Sequence, residues 1–374
     1  MLVANSASSS DSFSSDIQVP SDTNTGMIIG IVVAGVVIGV IAGFFLYKRK
    51  KLQAGAPAFG EYEDGYVNGN SPTLATNVAK PPRHGEATAM DLSPLEIYRV
   101  DAASVTILGS QPIAAGAFGE VWVGTCGRDT VAIKRNKQKS RPHVLKLIDE
   151  IKLLARMESP YIVSFKGVFW THPADLECLV EYMDLGDLRS FLGAHTAEEY
   201  TWAAKAQAIQ SIVRGLEYLH SFNPPVIHRD LKSRNVLLDS IKGVKLSDFG
   251  ESREIEDDET LTNGIGTFQW MAPEIITDNY YSVAADVYSF GVLLSEFSTH
   301  ALPYADAVNP VTQGRYNQHQ LTALVAKGAI KPTVEMTHTP LWVRELAADC
   351  LASNPDDRPT SLQLVGRLRA AGVV

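Results

Sequence analysis

The run His228-Arg229-Asp230-Leu231-Lys232-Ser233-Arg234-Asn235 sets a carboxylate, an ammonium and a carboxamide within eight residues. At such spacings one loop can turn all three groups toward a common point. A carboxylate can orient a hydroxyl nucleophile and accept its proton, a lysine can neutralise charge on a transferring phosphoryl group, and an amide oxygen can ligate magnesium. The competing reading is a solvated turn of mixed charge, and the rest of the chain has to decide between the two.

Three further stretches supply matching chemistry. Ile113 to Val121 reads IAAGAFGEV, Val131 to Lys134 reads VAIK, and Lys245 to Gly250 reads KLSDFG. Backbone amides approach phosphates only where side chains do not obstruct them, which gives Gly116 and Gly119 a physical sense. Strand alternation puts Ala132 and Lys134 on one face.

HRDLKSRN resembles the catalytic loop of the protein kinase family and meets every fixed position of H-R-D-L-x-x-x-N. IAAGAFGEV resembles the family's glycine-rich loop in part, with Gly116 and Gly119 as second and third glycines, Val121 at the last apolar position and Ala114 in place of the first glycine. VAIK and DFG complete the set. The resemblance implies ATP and Mg²⁺ as cofactors, with Asp230 as base, Lys232 beside it, and Lys134 positioning phosphates in a pair with Glu150. It implies that Asp248 and Asn235 hold the metal ions. The purine would lie between apolar residues such as Val121, Ala132 and Leu237, with backbone hydrogen bonds from Glu181 to Met183 and Val180 guarding the back of the pocket. Phe249 should pack beneath His228 and against the Glu150 helix near Leu154. Glu274 should pair with Arg358, and Asp286 should support the backbone of the catalytic loop.

Between Asp248 and Glu274, Ser252, Thr260, Thr262 and Thr267 are hydroxyls that phosphorylation could use, and Arg229 is a cation that could meet such a phosphate. Glu256, Asp257, Asp258 and Glu259 either pre-order this segment without phosphate or keep it solvated. Lys232 and Gly266-Thr267 resemble serine/threonine kinases, whereas WMAPE and DVYSFGVLLSE look like tyrosine kinases. The combination resembles the tyrosine-kinase-like group of serine/threonine kinases over about residues 104–372, which implies protein substrates with Ser or Thr acceptors. A pseudokinase, an interaction scaffold at the membrane without chemistry, is the rival. Ala114 favours it, and retention of Lys134, Glu150, Asp230, Asn235 and Asp248 opposes it.

The elements that must position these groups follow from patterning. Short β-rich runs holding Val105, Ile107, Val121, Val123, Val131 and Ile133 precede helical periods such as VLKLIDEIKLLARM, and helix dominates beyond Trp202. This predicts an α+β, two-lobed protein kinase fold, a small antiparallel sheet lobe with one main helix and a larger helical lobe, over residues 104–372. Residues 1–26 are polar and read as a disordered extracytosolic tail. Residues 27–47 are uncharged and at about 1.5 Å per residue span roughly the 30 Å of a hydrocarbon core, so they predict one transmembrane helix. Lys48, Arg49, Lys50 and Lys51 follow and place the C-terminal side in the cytosol. Gly35, Gly39 and Gly43, with Gly26 and Gly30, put small residues on one face, which could support a homodimer. Residues 48–103 read as a disordered juxtamembrane linker, with Tyr62 and Tyr66 set among acidic residues. The net charge of -9 offers no electrostatic argument for nucleic acid, and Cys126, Cys178 and Cys350 are too few and scattered for a disulfide framework.

Overall fold

The computed structural model describes residues 91–116, 119–250, 252–254, 268–278 and 280–373. The expected tail, transmembrane helix, glycine-rich dimer face and most of the linker lie outside these residues, as do Thr260, Thr262, Thr267 and the acidic run at 256–259. Among the described residues no helix is long and apolar enough to cross a membrane.

Five strands build the main sheet of the small lobe: β1 (Val105–Leu108), β3 (Gly119–Cys126), β4 (Asp129–Asn136), β5 (Phe165–Phe169) and β6 (Glu177–Glu181). They run antiparallel in the order β1-β3-β4-β6-β5, and the short β2 (Ala114–Ala115) pairs with β3. Side chains alternate across a strand, so the sheet has two distinct faces. Val131, Ile133 and Leu179 bury one of them. Ala132 and Lys134 lie on the other, across from Val180 and Cys178 of β6. Helix α1 (Arg141–Leu154) buries Val144, Leu147, Ile148 and Ile151 in the main core, the spacing of one helical face.

Residues 91–103 are folded, which shortens the expected linker. Pro94 sits in the first turn of a 3₁₀ segment, Ser93–Tyr98, where a missing N–H is tolerated. Leu95 beside it is 0% exposed. The Tyr98 ring meets Phe165 edge-on at 5.4 Å, and the Arg99 guanidinium lies 4.2 Å over Trp170 while donating to the Trp170 carbonyl at 3.1 Å. Val100 N–H bonds the Val168 carbonyl at 2.9 Å. The strap runs so close to β5 that a Cβ on Gly167 would stand 2.7 Å from Val100 Cγ1, and Gly167 itself has φ +143°.

The large lobe holds α2 (Leu188–Ala194), α3 (Trp202–His220), α4 (Pro273–Asp278), α5 (Val283–Thr299), α6 (Gln318–Ala326), α7 (Leu341–Cys350) and α8 (Ser361–Ala370). Small sheets line its upper edge: β7 (Gly186–Asp187), β9 (Val236–Asp239) and β10 (Gly243–Leu246) in the order β10-β9-β7, and β8 (Val226–Ile227) with β11 (Arg253–Glu254). Helix α5 is buried from Ala285 to Phe297 except at the half-buried Ser289, because it is apolar on nearly every side. The buried polar side chains it carries, Asp286, Ser295 and Glu296, therefore need partners inside the protein.

Candidate active site

The loop between β8 and β9 carries the groups that could do the chemistry. His228 is fully buried and its Nε2 bonds the Ser247 carbonyl at 3.1 Å. Arg229 takes the left-handed conformation, φ 65°, which disfavours a side-chain-bearing residue. Asp286 offsets that strain: its two oxygens accept the amides of His228 at 2.8 Å and Arg229 at 3.0 Å, and His220 Nε2 lies 3.0 Å away. The expected support of this loop by Asp286 is thus in place.

Beyond the turn, Lys232 Nζ donates to Asp230 Oδ2 at 2.6 Å. Asn235 Nδ2 donates to the Asp230 carbonyl at 2.8 Å and to its Oδ2 at 3.0 Å. The three groups that sequence spacing allowed to converge do converge, with the carboxylate at the centre. Such a carboxylate can orient a hydroxyl and accept its proton, with an ammonium alongside for developing negative charge.

Facing it, Lys134 on β4 donates to Glu150 Oε1 of α1 at 2.6 Å and to Asp248 Oδ1 at 2.7 Å. Burial pushes the Lys134 ammonium down, but the Asp248 and Glu150 carboxylates outweigh it and hold the lysine protonated well above its usual range. Lys134 in turn lowers Asp248 to about 2. Burial raises Glu150, against the pull of Lys134. Phe249 is buried and lies 5.2 Å from the His228 ring, and it shares the main core with Leu154 of α1. The ion pair, the loop after β10 and the α1 helix are therefore engaged together.

The donors that would hold a divalent cation are oxygens. Asn235 spends its Nδ2 on Asp230, which leaves Oδ1 as a ligand, and the Asp248 side chain stays 47% exposed despite Lys134. Hard cations prefer such oxygen sets, completed by water and substrate phosphates. Among the described residues no group of three or more His, Cys, Asp or Glu side chains forms a metal site, so these two residues would act with phosphate oxygens.

Gly116, just after β2, and Gly119, the first residue of β3, differ in what the protein itself requires. A Cβ at Gly116 would meet nothing within 4 Å, whereas one at Gly119 would stand 2.8 Å from the Arg135 carbonyl on β4. Gly116→Ala is therefore expected to leave stability within about 0.5 kcal/mol of wild type, while Gly119→Ala loses about 1–3 kcal/mol through overpacking. Chemical denaturation checks both. Weaker ATP binding by Gly116→Ala would then report the ligand rather than the fold.

Val121 pairs with Lys134, and Ala132 with Val123 and Val180, so all stand on the sheet face that carries the lysine. Leu237 lies on β9, two residues past Asn235. Met183 is buried at the start of the turn to β7. For Glu181 the tertiary structure adds a different role. Its amide donates to the Ser164 carbonyl at 2.9 Å, so that N–H is not a donor for a bound base. Its buried carboxylate accepts Lys245 Nζ at 2.6 Å and Ser164 N–H at 2.7 Å, pinning β6 to β10. The separation of 64 residues leaves no local signal for this pair. Ser252, one of the hydroxyls singled out for phosphorylation, is buried and donates to the His228 carbonyl at 2.8 Å, so it serves the loop instead.

The comparisons agree with this geometry. The family model described as "Protein kinase domain" matches residues 109–367, and the chain belongs to the protein kinase family. It is 33% identical over 279 residues to "Dual specificity protein kinase splA" of Dictyostelium discoideum, a match over 69% of this chain and 11% of that protein. It is 34% identical over 260 residues to "Probable serine/threonine-protein kinase drkA" of the same organism, over 69% of this chain and 38% of the relative. A third relative there, "Probable serine/threonine-protein kinase drkC", is 31% identical over 281 residues, 74% of this chain and 36% of its own length. The chain thus spans well under half the length of these relatives.

Proposed function

We propose that this chain is a membrane-anchored protein kinase that transfers the γ-phosphoryl group of ATP to Ser and Thr hydroxyls of proteins, within the tyrosine-kinase-like group. The observation that carries the reading is the pair of facing constellations, Lys134 with Glu150 and Asp248 on one side and Asp230 with Lys232 and Asn235 on the other. In this reading Asp230 orients the acceptor hydroxyl and takes its proton, and Lys232 offsets charge beside it. Lys134, held by Glu150, positions phosphates, and Asn235 and Asp248 hold Mg²⁺. That ion, when bound, neutralises phosphate charge. Gly116, Gly119, Val121, Ala132, Met183, Leu237 and the carbonyl of Glu181 form the nucleotide cradle. Names of relatives that read serine/threonine-protein kinase, together with Lys232, support the acceptor class.

The membrane part rests on residues 27–47 and the basic run at 48–51, with the kinase domain cytosolic and the tail at 1–26 on the other side. The glycine face of the span supports a homodimer. The kinase domain covers 104–372, with 91–103 as its N-terminal strap, and the linker covers the stretch before it.

Incubation of the full chain with radiolabelled ATP, Mg²⁺ and a generic protein substrate tests the reading, with the Asp248→Ala variant as blank. Incorporation on Ser and Thr, mapped by mass spectrometry, is the expected result, and the map also shows whether tyrosines accept phosphate as the name of splA suggests for that relative. Incorporation no greater than the blank would overturn it.

A further inference from the structure

Helix α5 carries a second buried carboxylate, ten residues after Asp286. Glu296 is 0% exposed. Its Oε1 accepts Ser233 Oγ–H at 2.7 Å, and its Oε2 accepts Trp270 Nε1–H at 2.8 Å. Arg189 of α2 brings Nη1 to 3.8 Å from Oε1 and donates that nitrogen to the His300 carbonyl at 3.3 Å. Ser233 belongs to the loop that presents Asp230 and Lys232. Trp270 stands at the end of the segment that closes with Ala272-Pro273-Glu274, and its carbonyl is held by Ser289 Oγ of α5 at 2.7 Å. One helix therefore holds the catalytic loop at both ends, through Asp286 at His228 and Arg229 and through Glu296 at Ser233.

We infer that Glu296 is a positioning residue that couples the end of the activation segment to the catalytic loop through a carboxylate they share. The inference rests on the kinase reading above. An indole N–H can only donate, and a buried hydroxyl and indole left without an acceptor both carry a desolvation penalty. Displacing Trp270 releases one oxygen of the carboxylate and changes how the other is held against Ser233 and Arg189. A change in the activation segment thereby reaches the residue three positions beyond Asp230 without touching substrate.

The ionised carboxylate offers one oxygen to each donor, whereas a protonated one must find an acceptor for its own hydrogen, so the coupling follows its charge. Burial pushes Glu296 up to about 7, against the pull of Ser233, Trp270 and Arg189, and Asp187 adds to the rise. A carboxyl raised in the fold contributes stability that is present below its unfolded pKa, near 4.5, and lost as pH rises through the folded value.

The test uses the full chain as wild type, Glu296→Gln, Ser233→Ala, Trp270→Phe and the Ser233→Ala/Trp270→Phe double variant. With a peptide substrate, Glu296→Gln is expected to lower kcat about tenfold while the KM for ATP stays within about twofold, a change of about 1.4 kcal/mol in the barrier. The two single losses in kcat should not add in the double variant. The indole N–H resonance of Trp270, assigned by its absence in Trp270→Phe, should shift with pH around a midpoint near 7 in wild type, move in Ser233→Ala, and stay flat with pH in Glu296→Gln. This last readout needs no phosphoryl transfer, so it separates failure of the coupling from failure of the kinase reading. Additive losses, or a Trp270 resonance indifferent to Ser233→Ala, would overturn the inference. If Glu296→Gln does not fold, the Ser233 and Trp270 variants, which each remove one hydrogen bond, carry the test.

Discussion

Asp230→Ala is expected to lower phosphoryl transfer by about 10²–10⁴-fold, the range for loss of a general base, while ATP binding and the unfolding temperature change little. The reasoning starts from the contacts of the carboxylate. Asp230 Oδ2 receives Lys232 Nζ and Asn235 Nδ2, and Asn235 also bonds the Asp230 carbonyl, which the substitution keeps. Lys232 and Asp230 are both partly exposed, at 19% and 15%, so water can take over the lysine. The turn itself is held by Asp286 through the amides of His228 and Arg229, which no side-chain change at 230 disturbs. Lys134, Glu150 and Asp248 bond one another rather than the substituted carboxylate. Single-turnover transfer with radiolabelled ATP and a nucleotide titration separate chemistry from binding. Undiminished transfer would remove Asp230 from the role of base, and equal loss of binding and transfer would make it a structural residue.

Arg358→Ala is expected to destabilise the large lobe by about 3–5 kcal/mol, the cost of breaking a buried ion pair by removing one partner. The Arg358 side chain is 0% exposed, and Glu274 keeps only 10% of its surface. Its Nη1 and Nη2 meet Glu274 at 2.6 and 2.8 Å, and the remaining N–H groups reach the carbonyls of Ala352, Ala284 and Ser353. All five donors of the guanidinium are thus used. Its plane also lies 5.0 Å from the Tyr288 ring. Removal strands a carboxylate and three carbonyls at the junction of α4, α5 and the turn before α8. Thermal unfolding should shift down by on the order of 10 °C, and Arg358→Lys should restore only part, because an ammonium cannot reproduce the planar fork. A shift of 1–2 °C for Arg358→Ala would show that the anchor is dispensable.

Legibility in the sequence followed the range over which each signal acts. The catalytic loop was readable because its chemistry lies within one turn of chain, and so were VAIK, DFG and the alternation that puts Ala132 and Lys134 on one face. The small-lobe strands and the helix around Glu150 were readable from period. Residues 91–103 read as linker because Pro94 and the lack of an apolar period look like loop. Their apolar members, Leu92, Leu95 and Tyr98, become informative only once β5 and α1 provide a surface for them.

What the sequence by itself determined is therefore the family, the order of strands and helices and the candidates for reacting groups, since residue type and short spacing carry that information directly. What only the tertiary structure decided is which buried charges answer one another. Glu181 meets Lys245 across 64 residues and Glu296 meets Ser233 across 63, so neither pair leaves a periodic trace. The physical reason is desolvation: a carboxylate becomes expensive, and its partner obligatory, only after the core has closed around it.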